Sequence, residues 1–279
     1  MPKSHPVHHF GSHQHPLSPY GYSDNGGAMT IKNPDREAIA HGKISNEKIR
    51  ESPSVPTWAI KLIMAITGLL FVLFTLGHMA GNLKLYAPAH DGVPALDEYG
   101  EFLRSIGSPL LPEQAFLWGF RIVLLAALIL HVWGAFVLIT RAKQSRGKFN
   151  RTNLMGGVDS FATRTMLVTG LFILLFVCFH LLDLTLGIAP AATEQFVHGE
   201  VHANMVATFS RWPVTIFYVV AMCLLFLHMS HGIRLAVSDL GITGRKWRQT
   251  FVVLAYIIPA VVVIGNIVMP VSVLFGWVS

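Results

Sequence analysis

Histidines recur inside long apolar runs, one to a run: His78, His131, His180 and His228, with His231 three residues beyond the last. The chain's two cysteines, Cys178 and Cys223, lie in the third and fourth of those runs. Imidazole and thiolate are the side chains that bind redox metals. Ionisable groups within a membrane are costly to bury, so they are candidates for function. A lone histidine on an apolar face is more commonly a hydrogen-bonded structural residue, and a buried cysteine an inert small hydrophobe. Four histidines in four successive runs weigh against the structural reading.

A helix rises about 1.5 Å per residue, which converts position in a run into depth. His131 falls near the middle of its run and His228 slightly to the cytoplasmic side. His78 and His180 both fall toward the outer face. Two depth-matched pairs result, His131 with His228 and His78 with His180, the arrangement a bis-histidine b-type haem needs between facing helices.

The cysteines open a second possibility. Cys178 and Cys223 fall at similar depth, and two cysteines with two histidines form the ligand set of a Rieske-type [2Fe–2S] cluster (Cys2His2). The loops that usually carry that set are missing, so a helix-built version is required. Cys178 and His180 are about 200° apart around one helix and can hardly reach one cluster. His228 is about 140° from Cys223. His78, His131, Cys178 and Cys223, one from each of four helices, form the preferred cluster set. The haem and cluster readings share histidines and exclude one another in full.

The elements that must position these groups are membrane spans. The composition is 52% hydrophobic and 13% charged, against about 25% charged residues in soluble domains. A span needs about 20 apolar residues, and five runs qualify: Trp58–Met79, Phe116–Thr140, Thr165–Gly187, Val214–Ala236 and Phe251–Trp277. The expected fold is an all-α integral membrane protein, a bundle of five transmembrane helices. A short interfacial helix near Leu96–Ile106 belongs to the first outer loop. Pro259 and Pro270 are tolerable in a membrane helix if neighbours satisfy the freed carbonyls. No internal repeat is read from the chain.

The net charge of +6 is concentrated between runs, in RAKQSRGKFNR (Arg141–Arg151) and RKWR (Arg245–Arg248). Basic residues collect in cytoplasmic loops, so both loops and the N-terminus are placed in the cytoplasm. This pattern does not describe a nucleic-acid surface. Residues 1–57 read as a disordered cytoplasmic segment, and residues 58–279 as the transmembrane domain. The histidine-rich stretch containing His5, His8, His9, His13 and His15 cannot bury a core. The first apolar run begins near Trp58, so no cleavable signal peptide is expected. Both cysteines lie deep in apolar runs, which argues against a disulfide framework.

Several motifs carry a family resemblance. They are GHMAGNL (Gly77–Leu83), EYGEFLRSIGSPLLP (Glu98–Pro112), RIVLLAALILHVWGAF (Arg121–Phe136), FATRTMLVTG (Phe161–Gly170), FHLLDLTLG (Phe179–Gly187), NMVATFSRWPV (Asn204–Val214) and LHMSHGIRLAVSDLG (Leu227–Gly241). From about Ser54 onward the chain resembles the single-polypeptide, five-helix cytochrome b558-type membrane anchor of succinate dehydrogenase/fumarate reductase, respiratory complex II, of actinobacterial type.

The resemblance implies a subunit of a succinate:menaquinone oxidoreductase in the plasma membrane. Succinate chemistry would lie on a partner flavoprotein subunit, with an iron–sulfur subunit docked on the cytoplasmic face and a higher oligomer of the complex left open. Electrons would pass through this chain to quinone. The family's haem ligands carry over to His78, His131, His180 and His228, with His231 competing for the fourth place. In-membrane cysteines depart from that haem pattern.

Quinone could bind at either surface, through Ser54, Trp58, Lys61, Arg151 or Asp159 inside, or Tyr99, Arg104 or Arg121 outside. Aromatic and basic residues collect at membrane surfaces in any case. Asp183, at the outer end of the third run, is a candidate for proton transfer or for capping the helix. Competing functions are a free-standing di-haem cytochrome b and a proton-coupled transporter with histidine relays. Co-isolation of the two partner subunits would exclude the first, and bound iron would exclude the second.

Overall fold

The computed structural model describes residues 54–146, 158–242 and 244–278. The chain divides into two units, Met1–Ser54 and Val55–Ser279. Of the first unit only Ser54 is described, so the reading of the histidine-rich tail lies outside the described residues, as do residues 147–151 of the Arg141–Arg151 loop.

The second unit is helical throughout its regular structure, with no strand among the described residues. Its elements are α1 (Thr57–Asn82), α2 (Ala95–Ser105), α3 (Ala115–Arg146), α4 (Val158–Leu181), α5 (Val201–Phe209), α6 (Trp212–Asp239) and α7 (Arg245–Leu274). A 3-10 turn (Leu83–Tyr86) extends α1, and a π-helical turn (Leu182–Leu186) extends α4. Five candidate membrane spans follow, Thr57–Tyr86, Ala115–Ser145, Thr165–Leu186, Trp212–Asp239 and Arg245–Leu274. Four of them begin or end beyond the apolar runs, because polar residues continue the helices into the interface, and the third coincides with its run to within one residue. In hydrocarbon a helix satisfies its own backbone, which is why apolar runs of this length form one.

Successive spans alternate in direction. One end of the bundle carries Arg141, Lys143, Arg245, Lys246 and Arg248, and is called here the basic end. There Arg141 donates to Thr57 Oγ1 at 2.9 Å and to the Val55 carbonyl at 2.8 Å, and Lys61 pairs with Asp239 at 3.0 Å. The opposite, short-helix end carries α2 and α5. Trp58, Trp118, Trp212, Trp247 and Trp277 all lie near span termini and are exposed, as interfacial tryptophans should be.

In packing order the spans run α3, α1, α6, α4, with α7 laid against α6 and α1. The flanking helices α3 and α4 expose most of their apolar side chains, including Leu125, Ile129, Leu171 and Leu175. Such faces are stable only with lipid as solvent. Two apolar clusters fill the centre. One at the short-helix end includes Leu85, Leu96, Phe176, Phe209, Tyr218 and Met269. The other, nearer the basic end, includes Val72, Met229, Ile233, Val237 and Val262. Pro259 and Pro270 are both buried within the continuous helix α7.

Candidate metal centres

The histidines meet in two pairs. His131 on α3 faces His228 on α6, with ring centroids 6.3 Å apart and planes at 58°. His78 on α1 faces His180 on α4, at 5.8 Å and 86°. His231, one turn beyond His228, is instead buried in α6. Neither α3 with α6 nor α1 with α4 is a pair of helices in extensive backbone contact. Each pair therefore bridges two helices that their neighbours hold apart.

Hydroxyl groups determine which ring nitrogen is free. Thr67 Oγ1 donates to the Ile63 carbonyl at 2.7 Å, so toward His131 Nδ1, 3.0 Å away, it can only accept. Thr169 Oγ1 donates to the Met166 carbonyl at 3.1 Å and faces His228 Nδ1 at 3.4 Å. Tyr218 donates to Asp183 Oδ2 at 3.0 Å and faces His180 Nδ1 at 3.3 Å. A hydroxyl has one hydrogen, and here it is already committed. A proton on Nδ1 of each imidazole would match these partners and leave the Nε2 lone pair available as a metal ligand. His78 has no such acceptor among the described residues and stacks on Phe74, at 5.3 Å and 22°.

Glycines make room beside the inner-lying rings. A Cβ on Gly68 would stand 3.5 Å from His131 Cε1, and one on Gly170 3.2 Å from His228 Cε1. A Cβ at Gly170 would make its ring give by a few tenths of an ångström, whereas one at Gly68 would only touch the ring.

A short local pattern recurs around the histidines. MAITGLLFVLFTLGH (Met64–His78) and MLVTGLFILLFVCFH (Met166–His180) share Met, Thr, Gly, Leu, Leu, Phe and His at matching positions. Each helix stacks its Phe on its own terminal His (Phe74 on His78, Phe176 on His180). Each presents its Thr–Gly step to the histidine of the next span. The partners LILHVWG (Leu128–Gly134) and LFLHMSHG (Leu225–Gly232) each carry a glycine about one turn past the histidine, three residues on in the first and four in the second: Gly134 packs on Met64 and Gly232 on Met166. The α1–α3 and α4–α6 halves each carry one copy of this local pattern, and each histidine pair takes one ring from each copy. The common apolar background had masked the signal, because matching leucines mean little in lipid-facing helices; the Thr–Gly step followed by Phe and His is the informative part.

The structure does not bring the cysteines to the histidines. Cys178 and Cys223 are both exposed, and among the described residues no three His, Cys, Asp or Glu side chains gather as metal ligands. The set His78, His131, Cys178 and Cys223 is therefore not assembled. The cause is azimuth: once His180 and His228 turn inward, residues two before and five before them are rotated by about 200° and 140°.

The four quinone candidates lie at opposite ends of the bundle's chain path. Trp58 opens α1 at the basic end, with Ser54 just before the helix in sequence. Tyr99 and Arg104 lie on α2, where Tyr99 packs over Gly81 and Arg104 pairs with Glu101 at 2.8 Å. Lys61 is paired with Asp239, and Arg121 stands 5.0 Å over the Trp118 ring. The Asp159 side chain lies outside the described residues.

The pairs fit one kind of group. Metal–imidazole bonds of about 2.0 Å, with about 1 Å from each nitrogen to its ring centre, put two rings sharing one metal about 6 Å apart. Both observed separations lie near that value. Two protein ligands alone leave most of a metal's coordination to be filled, as a haem macrocycle fills it; a bare ion or an iron–sulfur cluster needs more ligands from the chain. Residues His131 with His228, and His78 with His180, therefore suit two haems.

The family model described as succinate dehydrogenase/fumarate reductase transmembrane subunit matches residues 143–264, a stretch that includes α4, α5, α6 and most of α7. No curated protein and no solved structure matches the chain. Over residues 143–264 the chain is thus similar to the succinate dehydrogenase/fumarate reductase transmembrane subunit family, and its five apolar spans agree with a membrane subunit of that kind.

Proposed function

We propose that this chain is the plasma-membrane anchor of a succinate:menaquinone oxidoreductase, carrying electrons between a partner iron–sulfur subunit and quinone. The partner flavoprotein would oxidise succinate, and the iron–sulfur subunit would dock on the basic end. On the charge pattern that end is cytoplasmic, together with the N-terminus. The carrying observation is the pair of histidine pairs, each at a separation that suits one shared metal, each bridging helices otherwise held apart.

His131 with His228 would hold the inner haem, and His78 with His180 the outer one. Bound b-type haem supplies one-electron transfer. The chain's own groups prepare for it. Thr67, Thr169 and Tyr218 accept Nδ1–H and keep Nε2 free, as oriented ligating histidines require. Gly68 and Gly170 leave space beside the inner rings, and the apolar walls exclude water.

Quinone reaches the membrane surfaces from the lipid. Trp58 at the basic end, or Tyr99 with Arg104 on α2, would each contribute to a head-group site, and they serve different surfaces. The acidic residues Asp97, Glu98 and Glu101 collect with Arg104 on α2, so a head group there would meet a mixed-charge surface.

The test is the purified three-subunit complex. Reduced-minus-oxidised spectra should show b-type bands, with two haems per copy of this chain. A complex active with quinone but without haem overturns the proposal. Cys178→Ala separates it from the cluster reading: haem content and quinone reduction should both persist. Loss of quinone reduction with succinate oxidation by a soluble dye intact would favour the cluster.

A further inference from the structure

Beside the outer pair lies a buried polar network that matching positions in the other copy lack. Asp183, fully buried on the π turn, accepts from Thr208 Oγ1 at 3.0 Å, Arg211 Nη2 at 2.8 Å and Tyr218 OH at 3.0 Å. Arg211 is itself anchored, donating through Nη1 to the Ala191 carbonyl at 2.7 Å and through Nε to the Thr208 carbonyl at 3.3 Å. Phe176 and Phe209 hold the Tyr218 ring edge-on, each at 5.0 Å.

A π turn often marks a functional position. This one closes on Gly187 (φ 66°), where a Cβ would collide with Phe196. The turn places a carboxylate in an apolar interior, where a charge is tolerated only if paired and hydrogen-bonded. Removing the network in favour of apolar packing would cost the fold little or nothing, so stability alone does not account for it.

Its consequence for His180 is specific. An ionised carboxylate only accepts, so the phenol hydrogen is committed to Asp183 and the phenol oxygen faces Nδ1. The donation to Asp183 also enriches that oxygen as an acceptor, since linked hydrogen bonds polarise one another. A stronger acceptor on Nδ1–H makes the imidazole a stronger donor through Nε2. In the first copy the position matching Asp183 is Gly81 and the position matching Tyr218 is Arg121, which stands over Trp118.

We propose that Tyr218, braced by Asp183 and Arg211, is a positioning residue that fixes the tautomer and donor strength of His180 and thereby sets the midpoint potential of the outer redox centre. This rests on the reading of His78 and His180 as haem ligands. A stronger imidazole donor favours the oxidised metal, so the network holds the outer potential down.

The experiment is a redox titration of the purified complex, followed by visible bands and low-temperature EPR, with the outer centre assigned by its loss in His180→Ala. Tyr218→Phe removes one oxygen and keeps the ring. It should keep both haems, raise the outer midpoint potential, alter the outer EPR anisotropy and leave the inner centre unchanged. A haem-replete Tyr218→Phe complex with an unchanged outer potential overturns the proposal, and so does an equal shift at both centres, which would indicate packing alone. If Tyr218→Phe fails to assemble, Asp183→Asn decides. Its amide carbonyl still accepts the phenol hydrogen without the charge, and a smaller upward shift is expected; none overturns the proposal. Absence of haem from the wild-type complex would instead sink the function proposed above, a separate result.

Discussion

The two copies of the local pattern agree at mid-membrane and part company at the short-helix end. In the middle, α1 gives Thr67 and Gly68 to His131, and α4 gives Thr169 and Gly170 to His228. At the short-helix end the second copy surrounds His180 with Tyr218, Asp183 and Arg211. The first copy leaves His78 stacked on Phe74 and packs Tyr99 over Gly81. The difference teaches that the near-symmetric centre depends on small neutral groups, whereas the other centre is differentiated by a buried ion pair. One local pattern thus stands in two unlike surroundings.

The comparison breaks most severely at the ligands. His131→Ala or His228→Ala should remove the inner haem and abolish quinone reduction, measured by haem quantitation and turnover; retention of both haems would remove the inner pair from the account. Next in size is Arg211→Ala, which leaves the Asp183 carboxylate buried without its cation. Breaking a buried pair costs about 3–5 kcal/mol, so the complex should lose thermal stability in an unfolding scan. Lys61→Ala breaks the exposed pair with Asp239 at the basic end and should cost about 1 kcal/mol or less. Equal losses in those two variants would contradict the contrast drawn between the ends.

The mid-membrane symmetry can be sharpened with smaller changes. Thr67→Val and Thr169→Val keep shape and remove the acceptor for Nδ1–H. Loss of such a partner lowers metal affinity by about 10-fold or more. Haem retention under mild denaturation should fall in both, and further in Thr67→Val, whose contact is 3.0 Å against 3.4 Å. The smallest effect is steric: Gly170→Ala, at 3.2 Å from His228 Cε1, should perturb the spectrum slightly, and Gly68→Ala, at 3.5 Å from His131, less still.

Much of this site was legible in residue spacing. Four spans carry histidines, one in each of the first three and two in the fourth, and the fixed helical rise turned sequence position into depth; the rings that meet are the ones at matching depth. The choice between His228 and His231 was not legible, nor was the outward direction of Cys178 and Cys223. A membrane helix that is apolar on every side carries little periodic signal for its rotation about its own axis. Asp183 looked like a helix-end residue with two possible roles, because its partner Arg211 belongs to the next span and is close only after the chain turns back. Thr67, Thr169 and Tyr218 drew no attention, since a hydroxyl in an apolar run usually satisfies its own helix.

The sequence by itself determined that five segments would be helices crossing a bilayer, and at what height each histidine would sit. Hydrocarbon permits no other backbone arrangement for such runs, and every residue advances a helix by the same rise. Only the tertiary structure decided which helices are neighbours and which stand apart across a histidine pair, which side chain holds each ring, and which groups are left to lipid. Those outcomes depend on the rotation and packing of helices, set jointly by contacts among residues far apart along the chain.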